Sequence, residues 1–212
     1  MNRSKGEISF KVDQQIWDIV EELAAPDPNK RDRALERLGE LEDINHSPLI
    51  LYFLATRLSD PDLEIRFHVV QKLGAFLEGG SKNLTLSDQA LKHLQTALNN
   101  MEKDQLIKLL EVSAQYLSAE KSLLNILKLY SYAGRYLSGI LNDRKQPFPI
   151  RQQAIFFSGE VGYLETKQAL QNFIHRVDKI KSKQGSSSEL KKNLGEEKLY
   201  NFAVSALDKM KS

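Results

Sequence analysis

The sequence predicts an all-α fold built from stacked helix pairs, and two observations support this prediction. The stretch S-D-P-D-L-E-I-R-F-H-V-V-Q-K-L-G at Ser59–Gly74 repeats the skeleton A-P-D-P-N-K-R-D-R-A-L-E-R-L-G at Ala25–Gly39, with 35 residues from the first glycine to the second. Apolar residues recur at helical spacing along most of the chain, and no long segment alternates with the period of two of a half-buried strand. Recurrence of one helical unit at this spacing is typical of a solenoid.

Two further copies of the skeleton follow. I-R-Q-Q-A-I-F-F-S-G at Ile150–Gly159 keeps the arginine and the glycine, and Leu106–Ala114 is a weaker copy in which leucine replaces the arginine. A glycine inside a helix costs about 1 kcal/mol relative to alanine, so its recurrence needs a reason. We expect a small residue to let a neighbouring helix approach closely at positions 39, 74, 114 and 159.

The helix boundaries follow from cap signals and apolar spacing. Asp27 or Asp60 can cap a first helix, with Pro28 or Pro61 in the first turn, where a missing N–H costs nothing. Second helices are predicted after Ser47-Pro48, after Ser87, as one long helix over 120–142, and over Glu165–Lys181. The chain is thus predicted to be a single domain, 1–212, with a capping helix at 10–25, helix pairs at about 27–59, 60–101, 103–142 and 148–181, a flexible basic and serine-rich loop at 183–195, and a capping helix at 196–211.

The motif D-P-D-x-x-I-R-x-x-x-V-x-x-L-G at Asp60–Gly74 resembles the HEAT and HEAT-like repeat family, including the short variety first described in phycobilisome lyases. The resemblance covers about four repeats, of which 27–39 and 60–74 match well, 150–159 matches in part and 106–114 matches poorly. It implies a right-handed α-solenoid of about four helix pairs with capping helices at both ends. It also implies that the second helix of each pair lines a concave surface.

The resemblance assigns a structural role to the recurring arginines. Arg31, Arg66 and Arg151 would each bond an aspartate of the same or the adjacent repeat and form an internal ladder. Asp27 and Asp62 stand four residues before Arg31 and Arg66, which favours them as partners. Arg151 has a proline at that position, so its partner must come from elsewhere.

Composition excludes several classes of protein. The chain has 212 residues, no cysteine and a net charge of +2, which removes disulfides, thiolate nucleophiles and cysteine-ligated zinc. No apolar run reaches the roughly 18–20 residues that span a bilayer, and the N-terminus lacks the apolar core of a secretory signal. We therefore predict a cytoplasmic protein with no membrane partner. Charge is uneven, with a balance of −4 over residues 1–60 and +4 over residues 151–212.

No motif in the sequence indicates catalysis. The histidines His46, His68, His93 and His175 do not show the H-x-x-x-H or H-E-x-x-H spacing of metal sites. Glycine-rich phosphate loops and the G-x-S-x-G nucleophile turn are missing as well. The sequence predicts a protein that is not an enzyme and has no catalytic residues, no metal and no cofactor.

The function favoured by these observations is a scaffold or adaptor that binds another protein through the solenoid surface. One alternative is nucleic-acid binding, as in the DNA glycosylases that share the repeat, and a weaker one is a bilin lyase-type factor, which the lyase resemblance implies. Exposed tyrosines and basic residues on the second helices are the candidate contacts, because tyrosine and arginine are enriched at interface hot spots. The candidate binding residues are Tyr52, Arg57, Lys92, Tyr132, Arg135 and Arg176.

Overall fold

The computed structural model of the protein describes residues 14–40, 48–78, 88–183 and 187–211. Every regular element in these ranges is a helix, which confirms the predicted all-α class. The chain divides into two compact units. The first comprises residues up to Met101 together with Lys121–Ile126, and the second comprises Glu102–Glu120 and Leu127–Ser212.

The first unit contains five helices in the described ranges and a segment of a later one. The opening helix, α1, is helical over residues 14–23, and residues 10–13 of the predicted capping helix lie outside the described ranges. The remaining helices of this unit are α2 (Pro28–Glu40), α3 (Pro48–Arg57), α4 (Leu63–Leu77) and α5 (Asp88–Asn99). Helix α2 packs on α4, and α3 packs on both α4 and α5.

The second unit repeats this pattern of neighbours. Its helices are α6 (Lys103–Gln115), a short 3₁₀ helix (Leu117–Ala119), α7 (Glu120–Leu129, of which Lys121–Ile126 belongs to the first unit), α8 (Ala133–Asn142), α9 (Phe148–Val161), α10 (Leu164–Lys183) and α11 (Ser187–Lys209). Helix α6 packs on α9, α8 packs on α9 and α10, and α11 covers α9 and α10. The contacts of α2 with α4 and of α3 with α5 in the first unit thus correspond to those of α6 with α9 and of α8 with α10 in the second.

Glycines allow two close helix contacts, as the sequence predicts. A Cβ atom on Gly74 of α4 would lie 2.3 Å from the Cβ of Ser122 in the first unit. A Cβ atom on Gly159 of α9 would lie 2.7 Å from the Cα of Ala206 on α11. Both distances are shorter than any real contact, so only glycine fits at these positions without displacing the neighbouring helix.

The helix predicted over 120–142 is two helices, so this prediction is wrong. Helix α7 ends at Leu129, Tyr130 is extended (φ −92°, ψ 99°), and α8 begins at Ala133. At the break, the Leu127 carbonyl accepts bonds from the Tyr130 amide and the Tyr163 hydroxyl. Tyr130 stays buried, which is why the apolar spacing alone suggested a continuous helix.

The loop predicted over 183–195 is also largely wrong, because α10 extends to Lys183 and α11 already begins at Ser187. The predictive signal was present in the sequence. Ser186 and Glu189 have the S-x-x-E spacing of a capping box, in which serine and glutamate satisfy the free amides at the start of a helix.

The close contact at Gly159 predicts opposite effects for two glycine-to-alanine substitutions. Gly159→Ala should lower the free energy of unfolding by about 1–3 kcal/mol, because the methyl group overpacks the α9–α11 contact. Gly139→Ala is the control, since a Cβ there meets no atom within 4 Å in the middle of α8. It should raise stability by about 0.5–1 kcal/mol through helix propensity. Urea unfolding of both variants measures this, and equal signs would contradict the packing argument.

Candidate functional site

The first recurring arginine, Arg31, bonds both the turn before its own helix and a carboxylate in the turn before α4. Nη1 of Arg31 donates to the carbonyls of Ala25 (2.9 Å) and Pro26 (2.8 Å), which precede α2. Nη2 of Arg31 donates to Oδ1 of Asp60 at 2.9 Å, and both side chains are buried. The guanidinium thus joins its own turn to the turn that precedes α4.

Arg66 makes the equivalent turn contacts one repeat later. Its Nη1 donates to the carbonyls of Asp60 (2.7 Å) and Pro61 (3.1 Å), the aligned counterparts of the Arg31 acceptors. The side chain of Asp60 also accepts from the Asp62 amide at 3.0 Å, which fixes the same turn. The shared geometry explains why the arginine recurs in the sequence.

The prediction that Asp27 pairs with Arg31 is wrong, and Asp27 and Asp62 each bond amides at the start of a helix. Asp27 accepts from the Asn29 amide at 2.9 Å, and Asp62 accepts from the amides of Glu64 (2.8 Å) and Ile65 (3.2 Å). Both carboxylates therefore serve the amino ends of α2 and α4, where free amides need acceptors. Asp60, which was predicted as a cap, is the residue that pairs with Arg31.

Arg151 takes its partner from α11, in agreement with the prediction that the partner is not local. Its Nη1 donates to Oε1 of Glu196 at 2.5 Å and its Nε donates to the Leu141 carbonyl at 2.9 Å. The guanidinium lies over the Phe173 ring at 5.6 Å from the centroid. This contact ties α9 to α11 through buried charges.

Arg176, a predicted binding residue, belongs to the same internal cluster. Its Nη2 lies 3.5 Å from Oε2 of Glu196, and its guanidinium lies 5.2 Å from the Phe173 centroid. Burial is the main cause of a lowered pKa for Arg176. Arg151, Arg176 and Glu196 together form what we call the arginine–glutamate cluster, and this location leaves Arg176 only partly available to a ligand.

The charge of Glu196 depends on its arginine neighbours. Burial alone would raise the pKa of this carboxyl, but the hydrogen bond and charge of Arg151, with the charges of Arg144 and Arg176, outweigh it. The net result is a lowered pKa, so Glu196 stays ionised at neutral pH.

Of the other five candidate residues, four are exposed to solvent and Arg57 is half-buried. Tyr52 on α3 is 48% exposed, Tyr132 at the start of α8 is 50% exposed, and Arg135 is exposed one turn later. Lys92 on α5 is exposed as well. Arg57 is half-buried, and its Nη1 donates to the Leu23 carbonyl at 3.3 Å. The open candidates are therefore Tyr52 and Lys92 in the first unit and Tyr132 and Arg135 in the second.

A polar groove that the sequence did not predict lies between α2 and α4. Nδ1 of His68 lies 2.7 Å from Oδ1 of Asp32, and both side chains are partly exposed. Glu36 and Lys72 also line this groove, whose volume is about 260 Å³. Burial lowers the pKa of Lys72, against the opposing charges of Glu36 and Asp32. The repeat alignment could have found the pair, since it places Asp32 opposite Phe67, beside His68.

The structure describes residues 14–40, 48–78, 88–183 and 187–211. No group of three or more histidine and carboxylate side chains in those ranges is arranged to hold a metal ion. The helices in the same part of the chain include none that is long and apolar enough to cross a bilayer.

Comparisons with known proteins add no relative. A scan against protein-family models, a search of curated proteins and a search of solved structures each found no match.

The buried pair of Arg31 and Asp60 predicts different losses of stability for two aspartate substitutions. Asp60→Ala leaves a buried guanidinium without its counter-charge, which should destabilise the fold by about 3–5 kcal/mol. Asp27→Ala, the matched control, removes only an exposed cap and should cost about 1 kcal/mol. Chemical denaturation of both variants measures the difference. A larger loss of stability for Asp27→Ala than for Asp60→Ala would instead favour Asp27 as the partner of Arg31.

The lowered pKa of Glu196 predicts an acid-dependent loss of stability. A carboxyl whose folded pKa is depressed stabilises the fold above its unfolded value, ordinarily 4.5, and this contribution disappears as pH falls through the folded pKa. The stability difference between the wild type and Glu196→Gln should be constant near neutral pH and should shrink below about pH 4.5. Urea unfolding across a pH series measures it. In an Arg151→Met background the pH dependence should be weaker, and an unchanged dependence would contradict the pairing.

Proposed function

We propose that this protein is a non-enzymatic helical-repeat scaffold that binds another protein through the exposed faces of its second helices. The proposal includes the predicted right-handed α-solenoid of about four HEAT-like helix pairs and a cytoplasmic location. Its architectural support is the shared pattern of neighbours in each unit, where α2 packs on α4 and α3 on α5, and α6 packs on α9 and α8 on α10.

The observation that carries the binding proposal is one exposed tyrosine in each unit, Tyr52 on α3 and Tyr132 in the turn directly before α8. The side chains of Tyr52 and Tyr132 are each about half exposed, although burying an aromatic ring in a core would be favourable. A tyrosine combines a large apolar ring with a polar tip and has few rotatable bonds, so it binds a protein surface at low entropic cost. Tyr132 also has the exposed Arg135 one turn away, and the two side chains can contact one partner together.

Nucleic-acid binding is the second candidate, favoured by the basic balance of residues 151–212. The internal use of Arg151 and Arg176 weakens it, because guanidinium groups bound to Glu196 are less available for phosphates. A gel-shift series decides between the two, since phosphate contacts are strongest at low salt. Retardation of duplex or single-stranded DNA near about 50 mM salt that declines steeply with added salt would replace the protein-binding proposal.

Tyr132 and Arg135 should carry much of the affinity for the partner. Cross-linked affinity purification from source cells identifies proteins recovered with the wild type, and titration with the purified partner gives the dissociation constant. Tyr132→Ala and Arg135→Ala should each weaken binding about 30-fold if these residues are hot spots.

The control for this experiment is Leu117→Ala, which removes a more exposed apolar side chain in the same unit but outside the second helices. It should leave the affinity unchanged. Equal affinities for the wild type and all three variants would contradict the proposed surface.

A further inference from the structure

The outward face of α1 exposes an aromatic side chain surrounded by acids. Trp17 is 57% exposed, although Ile19, Val20 and Leu23 on the opposite side of the helix are buried. The exposed residues form one stripe at helical spacing. The stripe consists of Gln14, Trp17, Asp18 and Glu21 on α1 and of Ala24 in the turn that follows, and the exposed Gln15 lies beside it.

The outward face of α11 exposes a second aromatic side chain beside a base. Phe202 is 42% exposed, while Leu199, Ala203 and Ala206 face the core of the second unit. Lys198 lies one turn before Phe202. The exposed residues of this stripe are Gly195, Lys198, Asn201, Phe202 and Ser205.

The two stripes match each other when the helices run in opposite directions. Trp17 then lies opposite Phe202, and Glu21, one turn after Trp17, lies opposite Lys198, one turn before Phe202. A parallel arrangement with the aromatics opposed would separate these charges by two turns. The antiparallel register pairs every member of the stripes, namely Gln14 with Ser205, Trp17 with Phe202, Asp18 with Asn201, Glu21 with Lys198, and Ala24 with Gly195.

We propose that α1 of one copy of this chain packs antiparallel on α11 of a second copy, in this register. The aromatic pair supplies apolar area and ring contact at the centre. The small residues Ala24 and Gly195 at one end let the helices approach closely, because interaxial distance depends on the side chains at the contact. The acid–base pair fixes the direction and suppresses the parallel alternative.

An open groove of about 630 Å³ lies beside α1, and its wall carries three acids, Glu21 among them, and two bases. Glu22 is already paired with Arg37 at 2.7 Å. Glu21 is therefore the acid that faces the exposed Lys198 in the proposed register. The contact uses neither Tyr52 nor Tyr132, so its test is independent of the proposed partner-binding surface.

Each copy carries one α1 stripe and one α11 stripe, so the contact is heterologous. Self-association is then concentration-dependent and decreases with salt, because the acid–base pair lies at a partly exposed contact. Analytical ultracentrifugation of the full chain measures it. Trp17→Ala and Phe202→Ala should each raise the dissociation constant about 30-fold. Leu164→Ala, which removes a more exposed leucine outside both stripes, should leave it unchanged.

A charge exchange tests the register. Glu21→Lys and Lys198→Glu should each weaken association, because like charges then face each other across the contact. The double variant Glu21→Lys with Lys198→Glu should recover wild-type association, since every contact again opposes a base and an acid. Recovery supports the register, and a double variant weaker than either single one overturns it.

Mixing two defective variants tests the polarity of the contact. A Trp17→Ala copy keeps its α11 stripe, and a Phe202→Ala copy keeps its α1 stripe, so an equimolar mixture should form a one-to-one complex that neither variant forms alone. A wild-type chain that stays monomeric up to about 1 mM would overturn the proposal, because even a millimolar contact would be half formed there. Association that survives Trp17→Ala and Phe202→Ala would also overturn it.

Discussion

A guanidinium that leaves water must find several acceptors at once, and this requirement organises the first unit. Arg31 satisfies it with two carbonyls of its own turn and with the carboxylate of Asp60 from the next turn. The bonds have fixed directions, whereas apolar contacts between helices tolerate sliding. A buried ion pair is weak support for stability by itself, but it selects one register among many apolar packings. The helices on either side therefore take their spacing from the turn that the arginine holds.

In the second unit, the buried guanidinium of Arg151 meets the same requirement with a different carboxylate acceptor. Arg151 reaches one carbonyl at Leu141 and a glutamate of α11, with Phe173 under the guanidinium plane. The aromatic ring adds favourable electrostatics where no second carbonyl is bonded. The arginine position is thus retained along the chain while its counter-charge comes from whichever helix packs against it.

The repeated sequence skeleton made some of these features predictable, but others could not be predicted from it. The offset from Arg31 to Arg66 identified a structural arginine, and glycine at positions 74 and 159 correctly indicated close helix approach. The acceptors were not predictable, because Asp60 aligns with Ala25 and has no counterpart in the first copy. The break at Tyr130 was missed because a buried side chain keeps its apolar spacing even when its backbone leaves the helix. Among the candidate binding residues, spacing correctly placed Tyr52 on a helix, whereas Tyr132 lies in the turn before α8. Only packing determined that Arg176 lies against Glu196.

The interleaved order of the two units has a consequence for synthesis on the ribosome. The first unit includes Lys121–Ile126, and Gly74 packs against Ser122 within it. The stretch Glu102–Glu120 leaves the exit tunnel before that segment, although it belongs to the second unit. The nascent first unit therefore lacks the Ser122 that packs on Gly74 and bonds Gln71 until the first stretch of the second unit has already emerged. An incompletely packed unit of this kind is prone to aggregate during synthesis.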